Sequence, residues 1–398
     1  MDRRDFLKAG TLLAAGLGSG SAFARQEQPR KVKSVIWLWL DGAPSQYDTW
    51  DPKPEHRYGG GVKALQTSAK GIRVAETLPK CARVMDRLSV VRTVVHQGRD
   101  SAESTYLMHA GLYPSCWDCD VSVGSLLAYE LWNRSSGLPP FIAIDAPGIP
   151  ESWTMGDLFL PLRLKAGRME GGRSWSPAAA GLLKAQNDAW GARRQQKAVS
   201  DHGEMRAVAE AWMRSSALEV TNLTKEPKEL RDAYGPGFGQ RCLLARRLIE
   251  SGTAVVEVGL SGVEADPRSY YGRLDAGLSS LIADLTEKDL LKDTVVFVGS
   301  EAGRYPWVME ERTSERWTRG FSVVLAGGHL AGGRDYGETG PGGLEAFSPV
   351  PLWNLMATLF KACGVDGNKK YETIGRKAKY VSMNGAVSTA GTAIKELF

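Results

Sequence analysis

The chain has 398 residues, of which 43% are hydrophobic and 24% are charged, and its formal net charge at pH 7 is +5. This length suits one large domain or two small ones, and the charge is too slight to indicate binding of nucleic acid. Beyond the N-terminal region, no segment is long and apolar enough to predict an integral membrane helix.

The N-terminal region resembles a twin-arginine export signal. The pair Arg3-Arg4 precedes a short apolar run from Thr11 to Leu17 and a small-x-small cleavage site at Ala22–Ala24. The apolar run is too short to anchor the chain in a bilayer. We therefore expect residues 1–24 to be a signal peptide and 25–30 to be a linker, so that the mature protein is periplasmic or otherwise extracytoplasmic.

Apolar strand patterns alternate with helical patterns from residue 31 onward. Because strands that alternate with helices form a mostly parallel sheet covered on both faces, the predicted fold is α/β. It is a single large domain over residues 31–385 with a central sheet flanked by helices, followed by a tail over 386–398. The predicted strands are Ser34–Leu40, Leu88–Val95, Phe141–Asp145, Thr253–Leu260, Val295–Val298 and Ser322–Ala326, and the predicted helices are Phe238–Ser251, Leu274–Leu285 and Leu352–Cys363.

Residues 160–235 interrupt this alternation. A glycine-rich, loop-like stretch is followed by a polar helical pattern between Ala178 and Ser216, which predicts a helical insertion. Two interpretations remain open: a lid that shapes a substrate pocket, and a solvated pair of helices.

The cysteines provide one close pair, Cys116 and Cys119. A single CxxC motif is weak as a zinc signal. After export the two thiols could form a disulfide or remain free. Cys242 and Cys363 lie among apolar residues of predicted helices and are expected in the core.

Acidic side chains follow three of the predicted strands. Asp41 follows the first strand, Glu264 and Asp266 follow the strand that ends at Leu260, and Glu301 follows the strand that ends at Val298. Because the carboxyl ends of parallel strands meet at one edge of a sheet, we expect these carboxylates to lie close together. They would repel one another unless a cation joined them, so the pattern predicts a divalent metal site.

A serine lies at a predicted helix start near the same edge. Asp100 and Glu103 form a capping-box pattern, which places Ser101 in the first turn. Free amide groups and the helix dipole favour an anion there and would help to ionise a hydroxyl. Arg304 and Arg99 are the candidate ligands for anionic ester oxygens, since a guanidinium group binds such oxygens well.

Nearly the whole mature chain resembles the bacterial exported family called domain of unknown function 1501, within the alkaline phosphatase and sulfatase superfamily. In the superfamily's phosphodiesterase branch, a hydroxyl nucleophile lies ten residues before the glycine of a Thr-Gly-Leu-Tyr-Pro motif, which reads Ala110–Pro114 here. The resemblance therefore implies Ser101 as the nucleophile, with Asp41 and Glu301 as metal ligands. It covers residues 31–365 and rests on Asp48–Pro54, Tyr234–Arg247, Glu301 with Gly303-Arg304, and Arg319–Gly328.

The histidines of the related metal sites are missing from this chain. Where the superfamily has Asp-His, this chain has Glu301-Ala302. Where the family has Trp-Asp-Thr-His, this chain has Val263-Glu264-Ala265-Asp266, and where the family often has Asp-His-His, it has Glu315-Arg316-Trp317. Zinc prefers imidazole and thiolate ligands, whereas magnesium, calcium and manganese prefer oxygen. Any retained site would therefore hold one divalent cation, with magnesium, calcium or manganese favoured over zinc, and no organic cofactor is expected.

Two functions remain open at this point. In the first, the protein is a metal-dependent hydrolase of phosphate or sulfate esters, with a small molecule or a glycan ester as substrate and Ser101 as the attacking group. In the second, it is a non-catalytic relative that binds a ligand or partner in the cell envelope. Ser101 would then be a helix-start residue, and Glu301 would form a salt bridge with an arginine such as Arg304 or Arg316.

Overall fold

The computed structural model describes residues 31–111, 122–146, 157–165, 168–169, 216–305, 315–367, 369–372, 380–382 and 391–398. The predicted signal peptide, the Cys116 and Cys119 pair, and most of the predicted helical insertion lie outside these residues. No helix within them has the length and apolarity that crossing a membrane would require.

Among the described residues, each strand and helix predicted from the sequence is present, and the structure adds short strands and two further helices. Two of the added strands, Leu162–Lys165 and Arg168–Met169, belong to the central sheet although they lie within the range predicted as a helical insertion. The described helices are α1 (Ser101–Ala110), α2 (Val123–Leu131), α3 (Lys228–Tyr234), α4 (Phe238–Glu250), α5 (Pro267–Glu287) and α6 (Leu352–Ala362). The described strands are β1 (Ser34–Leu40), β2 (Ala64–Gln66), β3 (Arg73–Ala75), β4 (Leu88–Val95), β5 (Phe141–Ile144), β6 (Leu162–Lys165), β7 (Arg168–Met169), β8 (Val255–Leu260), β9 (Thr294–Gly299), β10 (Gly303–Arg304), β11 (Arg316–Trp317), β12 (Arg319–Gly327), β13 (Arg334–Tyr336), β14 (Glu338–Thr339), β15 (Ala346–Phe347), β16 (Val350–Pro351), β17 (Lys370–Glu372) and β18 (Tyr380–Ser382).

Ten of the described strands form the central sheet, in the order β13-β4-β12-β9-β1-β8-β5-β6-β7 with β16 also paired to β4. β1 lies between β9 and β8 and is parallel to both, and the β8–β5 and β5–β6 pairs are parallel as well. β12 runs antiparallel to both of its neighbours. The predicted mostly parallel α/β fold is therefore confirmed.

Helices cover both faces of this sheet. The side chains of successive β1 residues point to opposite faces, as they do in any β-strand. Ile36 and Leu38 pack with α4 and α5 on one face. Trp37 and Trp39 pack with α1, α2 and α6 on the other. Because both faces are buried, β1 is apolar along its whole length, and every one of its residues is buried.

The last residues of the chain return to this core. Leu397 is fully buried and Ile394 is 6% exposed. Ala331 N donates a hydrogen bond to Leu397 O at 2.8 Å, and Ile394 N donates to Thr358 Oγ1 at 3.0 Å. Residues 391–398 therefore belong to the packed domain.

Candidate functional site

The carboxyl ends of β1, β8 and β9 lie side by side and bring the predicted acidic residues to one edge. Leu40 pairs with Leu260, and Trp39 pairs with Gly299. Gly42 turns the chain away from β1 with a φ of +90°. A side chain at position 42 would come within 2.8 Å of Val263, so this turn requires glycine.

Glu301 is the buried centre of this edge. Its side chain is 0% exposed and its Oε1 lies 3.2 Å from Nε of Arg316. Gly42 N donates to the same oxygen at 3.2 Å, and the Ser300 hydroxyl donates to Oε2 at 2.9 Å. A buried carboxylate requires a cation and hydrogen bonds to offset its desolvation. Arg316 supplies that cation.

Arg304 holds the loop that follows β1. Its Nε donates to Ala43 O and its Nη2 donates to Gly42 O, both at 2.7 Å. The same Nη2 lies 3.2 Å from Oε1 of Glu264, whose side chain is 56% exposed. The predicted role of Arg304, binding ester oxygens, would therefore fall to its other terminal nitrogen, Nη1, because Nε and Nη2 already have carbonyl and carboxylate partners.

The other two predicted metal ligands have different surroundings. The exposed Asp266 caps α5 and accepts from Ser269 N at 3.1 Å. Asp41 is partly exposed, and within the described part of the chain its carboxylate makes no hydrogen bond or ion pair. Of the predicted set, the structure brings Glu301 next to the end of β1 and leaves Asp266 on a helix cap.

The donor set does not fit a divalent-metal centre. Among the described residues, no group of three or more His, Cys, Asp or Glu side chains is placed to hold a metal ion. Two of the four carboxylates, Glu301 and Glu264, already have an arginine as partner. A hard cation prefers several oxygen ligands, and this edge does not present them together.

Ser101 begins α1 as the sequence predicts. Asp100 is the N-cap residue and accepts from Glu103 N at 2.8 Å. The Glu103 carboxylate accepts from Arg99 N at 2.9 Å and from Arg99 Nε at 3.0 Å. Arg99, the second candidate anion ligand, is therefore paired, whereas the partly exposed Ser101 hydroxyl makes no hydrogen bond among the described residues.

His96 joins the loop before α1 to the Glu301 backbone. Its Nδ1 accepts from Gly98 N at 3.0 Å, and its Nε2 lies 2.7 Å from Glu301 O. Because a carbonyl oxygen only accepts, Nε2 carries the proton and the ring is neutral. Burial lowers the pKa of His96, and it outweighs the hydrogen bond to Glu301 and the charge of Glu103, which raise that pKa.

His109, at the other end of α1, forms a buried pair with Glu257 of β8. Nε2 lies 3.0 Å from Glu257 Oε1, and the side chains are 3% and 1% exposed. Nδ1 lies 2.8 Å from Thr105 O, so both ring nitrogens face acceptors and the ring is an imidazolium. Burial alone would lower the pKa of His109, but the charge and hydrogen bond of Glu257, with smaller contributions from Thr105 and Glu301, raise it.

Asp48, in the loop after β1, is a further titratable group close to this edge. Its Oδ2 accepts from the hydroxyl of Tyr271 at 3.3 Å, and that hydroxyl accepts from Ser45 N at 3.2 Å. Burial raises the pKa of Asp48 to about 6, although the hydrogen bonds from Tyr271 and Ser45 lower it. The sequence marked Asp48 only as part of a family motif, because burial is a property of the folded chain.

These features define an α/β protein whose candidate site lies at the carboxyl edge of a mostly parallel sheet and contains carboxylate–arginine pairs. The model of a family described as a protein of unknown function, DUF1501, matches residues 32–390, and the chain belongs to that family. A comparison with curated proteins found no match.

Solved structures similar to this chain include members of the alkaline phosphatase superfamily. A sulfatase from Pseudoalteromonas sp. is 13% identical over 92% of this chain and 72% of its own, with a TM-score of 0.41. An alkaline phosphatase superfamily protein from Vibrio parahaemolyticus is 11% identical over 85% and 68%, with a TM-score of 0.39. A phosphonate monoester hydrolase from Silicibacter pomeroyi is 12% identical over 89% and 78%, with a TM-score of 0.36.

Proposed function

We propose that this protein is an extracytoplasmic binding protein that retains a sulfatase-like scaffold without a divalent-metal centre. The observation that carries the proposal is the salt bridge between Arg316 and the fully buried Glu301. The guanidinium supplies the positive charge that a metal would otherwise bring to this carboxylate. The twin-arginine pattern in residues 1–24 supports a location outside the cytoplasm.

The proposed ligand is a phosphate or sulfate ester that is bound and not hydrolysed. Arg316 is 29% exposed and uses Nε for Glu301, so its two terminal nitrogens can donate to an anion. The start of α1 also offers free amide groups near Glu301, because His96 in the loop before α1 contacts Glu301 O, and the helix dipole favours an anion there. Metal-dependent hydrolysis would require a Lewis acid that lowers the pKa of a hydroxyl or a water molecule, and the described carboxylates are not grouped to hold one.

A metal-dependent ester hydrolase is the second candidate. It is favoured by the Ser101 hydroxyl, which is partly exposed at the start of α1, and by the carboxylate of Asp41, which is unpaired within the described residues. In that case, Ser101 would attack the ester and Asp41 would hold the metal with Glu301, after Arg316 had moved away from Glu301.

Two measurements distinguish the binding protein from the hydrolase: the metal content and the turnover of protein purified through its own export route. We expect far less than one divalent metal per chain, and no hydrolysis of aryl phosphate or aryl sulfate with added magnesium, calcium or manganese. About one metal per chain, together with turnover lost in Ser101→Ala, would overturn the proposal. The matched control is Ser269→Ala, which alters an exposed serine in the first turn of α5.

Removing the guanidinium tests the observation directly. Arg316→Ala leaves the fully buried Glu301 carboxylate without its cation, so the free energy of unfolding of this variant should fall by about 3 kcal/mol or more. Added magnesium, calcium or manganese should not restore the lost stability, because this edge does not present several oxygen ligands together. The control Arg319→Ala, which alters an exposed arginine of β12, should change the free energy of unfolding by less than about 0.5 kcal/mol. A rise in the melting temperature of the wild-type protein with any of these ions would contradict the proposal.

A further inference from the structure

A separate cavity, of about 690 Å³, opens between the loop after β1, the strands β3 and β4, and the β13–β16 region. Its volume lies within the usual range of small-molecule sites, roughly 300–1,000 Å³. None of the site residues at the Glu301 edge lines it. The side chains that matter for its chemistry are those of Asp51, Lys53, Glu55, His56, Arg73, Arg92, Asp335, Glu338 and Phe347.

The floor of the cavity is an ion-pair network whose charges cancel. Asp51 accepts from the Thr339 hydroxyl, and its Oδ1 lies 3.1 Å from Lys53 Nζ and 3.7 Å from Arg92 Nε. Arg92 also pairs with Asp335. Lys53, Arg92, Asp51 and Asp335 together carry no net charge. The floor is thus ordered by its own bonds before any ligand arrives.

The rim offers unpaired polar groups of both signs beside an exposed ring. Arg73, Glu55 and Glu338 are exposed, and their side chains make no hydrogen bond or ion pair within the described ranges. His56 Nδ1 accepts from Tyr58 N at 3.3 Å, which leaves its Nε2–H group as a donor. Phe347 is 50% exposed.

We infer that this cavity binds an uncharged carbohydrate. The charges of the floor cancel, and the rim adds two carboxylates, Glu55 and Glu338, against the guanidinium of Arg73. A strongly anionic ligand would meet the two carboxylates and a strongly cationic one would meet Arg73, so this near balance favours a neutral molecule. Sugar hydroxyls both donate and accept, and can therefore pair with carboxylates and guanidinium groups alike. The apolar face of a sugar ring would pack on the ring of Phe347. Small-molecule sites typically combine such an apolar wall with a few polar groups that orient the ligand.

Calorimetric titration of the full mature chain with three neutral hexasaccharides, maltohexaose, cellohexaose and chitohexaose, tests this inference. At least one should bind. Phe347→Ala and Arg73→Ala should each weaken that binding about tenfold or more, equivalent to roughly 1.4 kcal/mol. Phe347→Tyr, which keeps the ring, should retain the affinity. Trp353→Ala, which removes an exposed aromatic ring of α6 away from the cavity, should bind as the wild-type protein does.

The inference would be overturned by no binding of any of the three sugars, by unchanged affinity in both Phe347→Ala and Arg73→Ala, or by an equal loss of affinity in Trp353→Ala. Tighter binding of dextran sulfate than of the neutral sugars, with the same dependence on Phe347, would assign the cavity to an anionic ligand and also overturn it. Because neither Glu301 nor Arg316 lines this cavity, the outcome is independent of the metal experiments.

Discussion

The His109 and Glu257 pair makes the stability of this protein depend on pH. The folded pKa of His109 is raised above 6.5, its ordinary value. Stability that arises from such a shift is fully present below the unfolded pKa and is lost as the pH rises through the folded pKa. The imidazolium faces Glu257 from β8, and the charge of Glu301 at the end of β9 raises the same pKa.

Glu257→Gln should therefore be most harmful at low pH. Near pH 6 we expect a loss of about 3 kcal/mol in the free energy of unfolding, because a buried charge loses its partner. The difference from the wild-type protein should narrow as the pH rises through the folded pKa of His109, because the imidazolium of the wild-type protein then loses its proton. Urea unfolding at several pH values measures it. A gap that stays constant with pH would contradict the assignment, and Glu229→Gln, at an exposed position of α3, is the control.

The partners of Glu301 illustrate how far residue-level prediction could go. The sequence predicted Glu301 at the carboxyl edge, and it named Arg316 as one of two arginines that could pair with it. Deciding whether Glu301 pairs with a metal ion or with an arginine required knowing where Arg316 lies. That depends on the pairing of β11 with β10 and on the direction of β12, neither of which has a local signature.

Sequence patterns could not predict the direction in which the strand β12 runs. A buried apolar run has the same appearance whether its strand is parallel or antiparallel. Because β12 is antiparallel to β9, the residues that precede β12 lie at the edge where β9 ends. This brings β11, and with it Arg316, to Glu301. The long buried strands were predictable, whereas pairs such as β10 and β11 are too short to show a period.

The start of α1 is an element whose stability can be tested separately. Asp100→Ala removes the acceptor for Glu103 N, so we expect a loss of about 1 kcal/mol in the free energy of unfolding. Asp100→Ser, which keeps a side-chain acceptor at the cap, should restore most of it. Chemical denaturation of the three proteins gives the comparison, and a free energy of unfolding in Asp100→Ala equal to that of the wild-type protein would show that the cap does not stabilise α1.

At the scale of the whole molecule, the packing of the C-terminal residues was not predicted. Residues 386–398 read as a tail because they contain no long apolar run, yet Ile394 and Leu397 are buried. Isolated apolar residues show no period, so their burial depends on a groove formed by distant elements. Leu397 reaches the core beside α6 and the loop after β12, and Lys361 Nζ lies 3.8 Å above the ring of Phe398.

Removing one side chain of this C-terminal segment should destabilise the whole domain. Leu397 is fully buried, so Leu397→Ala leaves a cavity and should lower the free energy of unfolding by about 2–5 kcal/mol. Glu396→Ala, at the exposed neighbouring position, should change it by less than about 0.5 kcal/mol. Denaturant unfolding should show a lower midpoint at an unchanged slope for Leu397→Ala. If its midpoint equalled that of the wild-type protein, the C-terminal segment would contribute nothing to the cooperative unit.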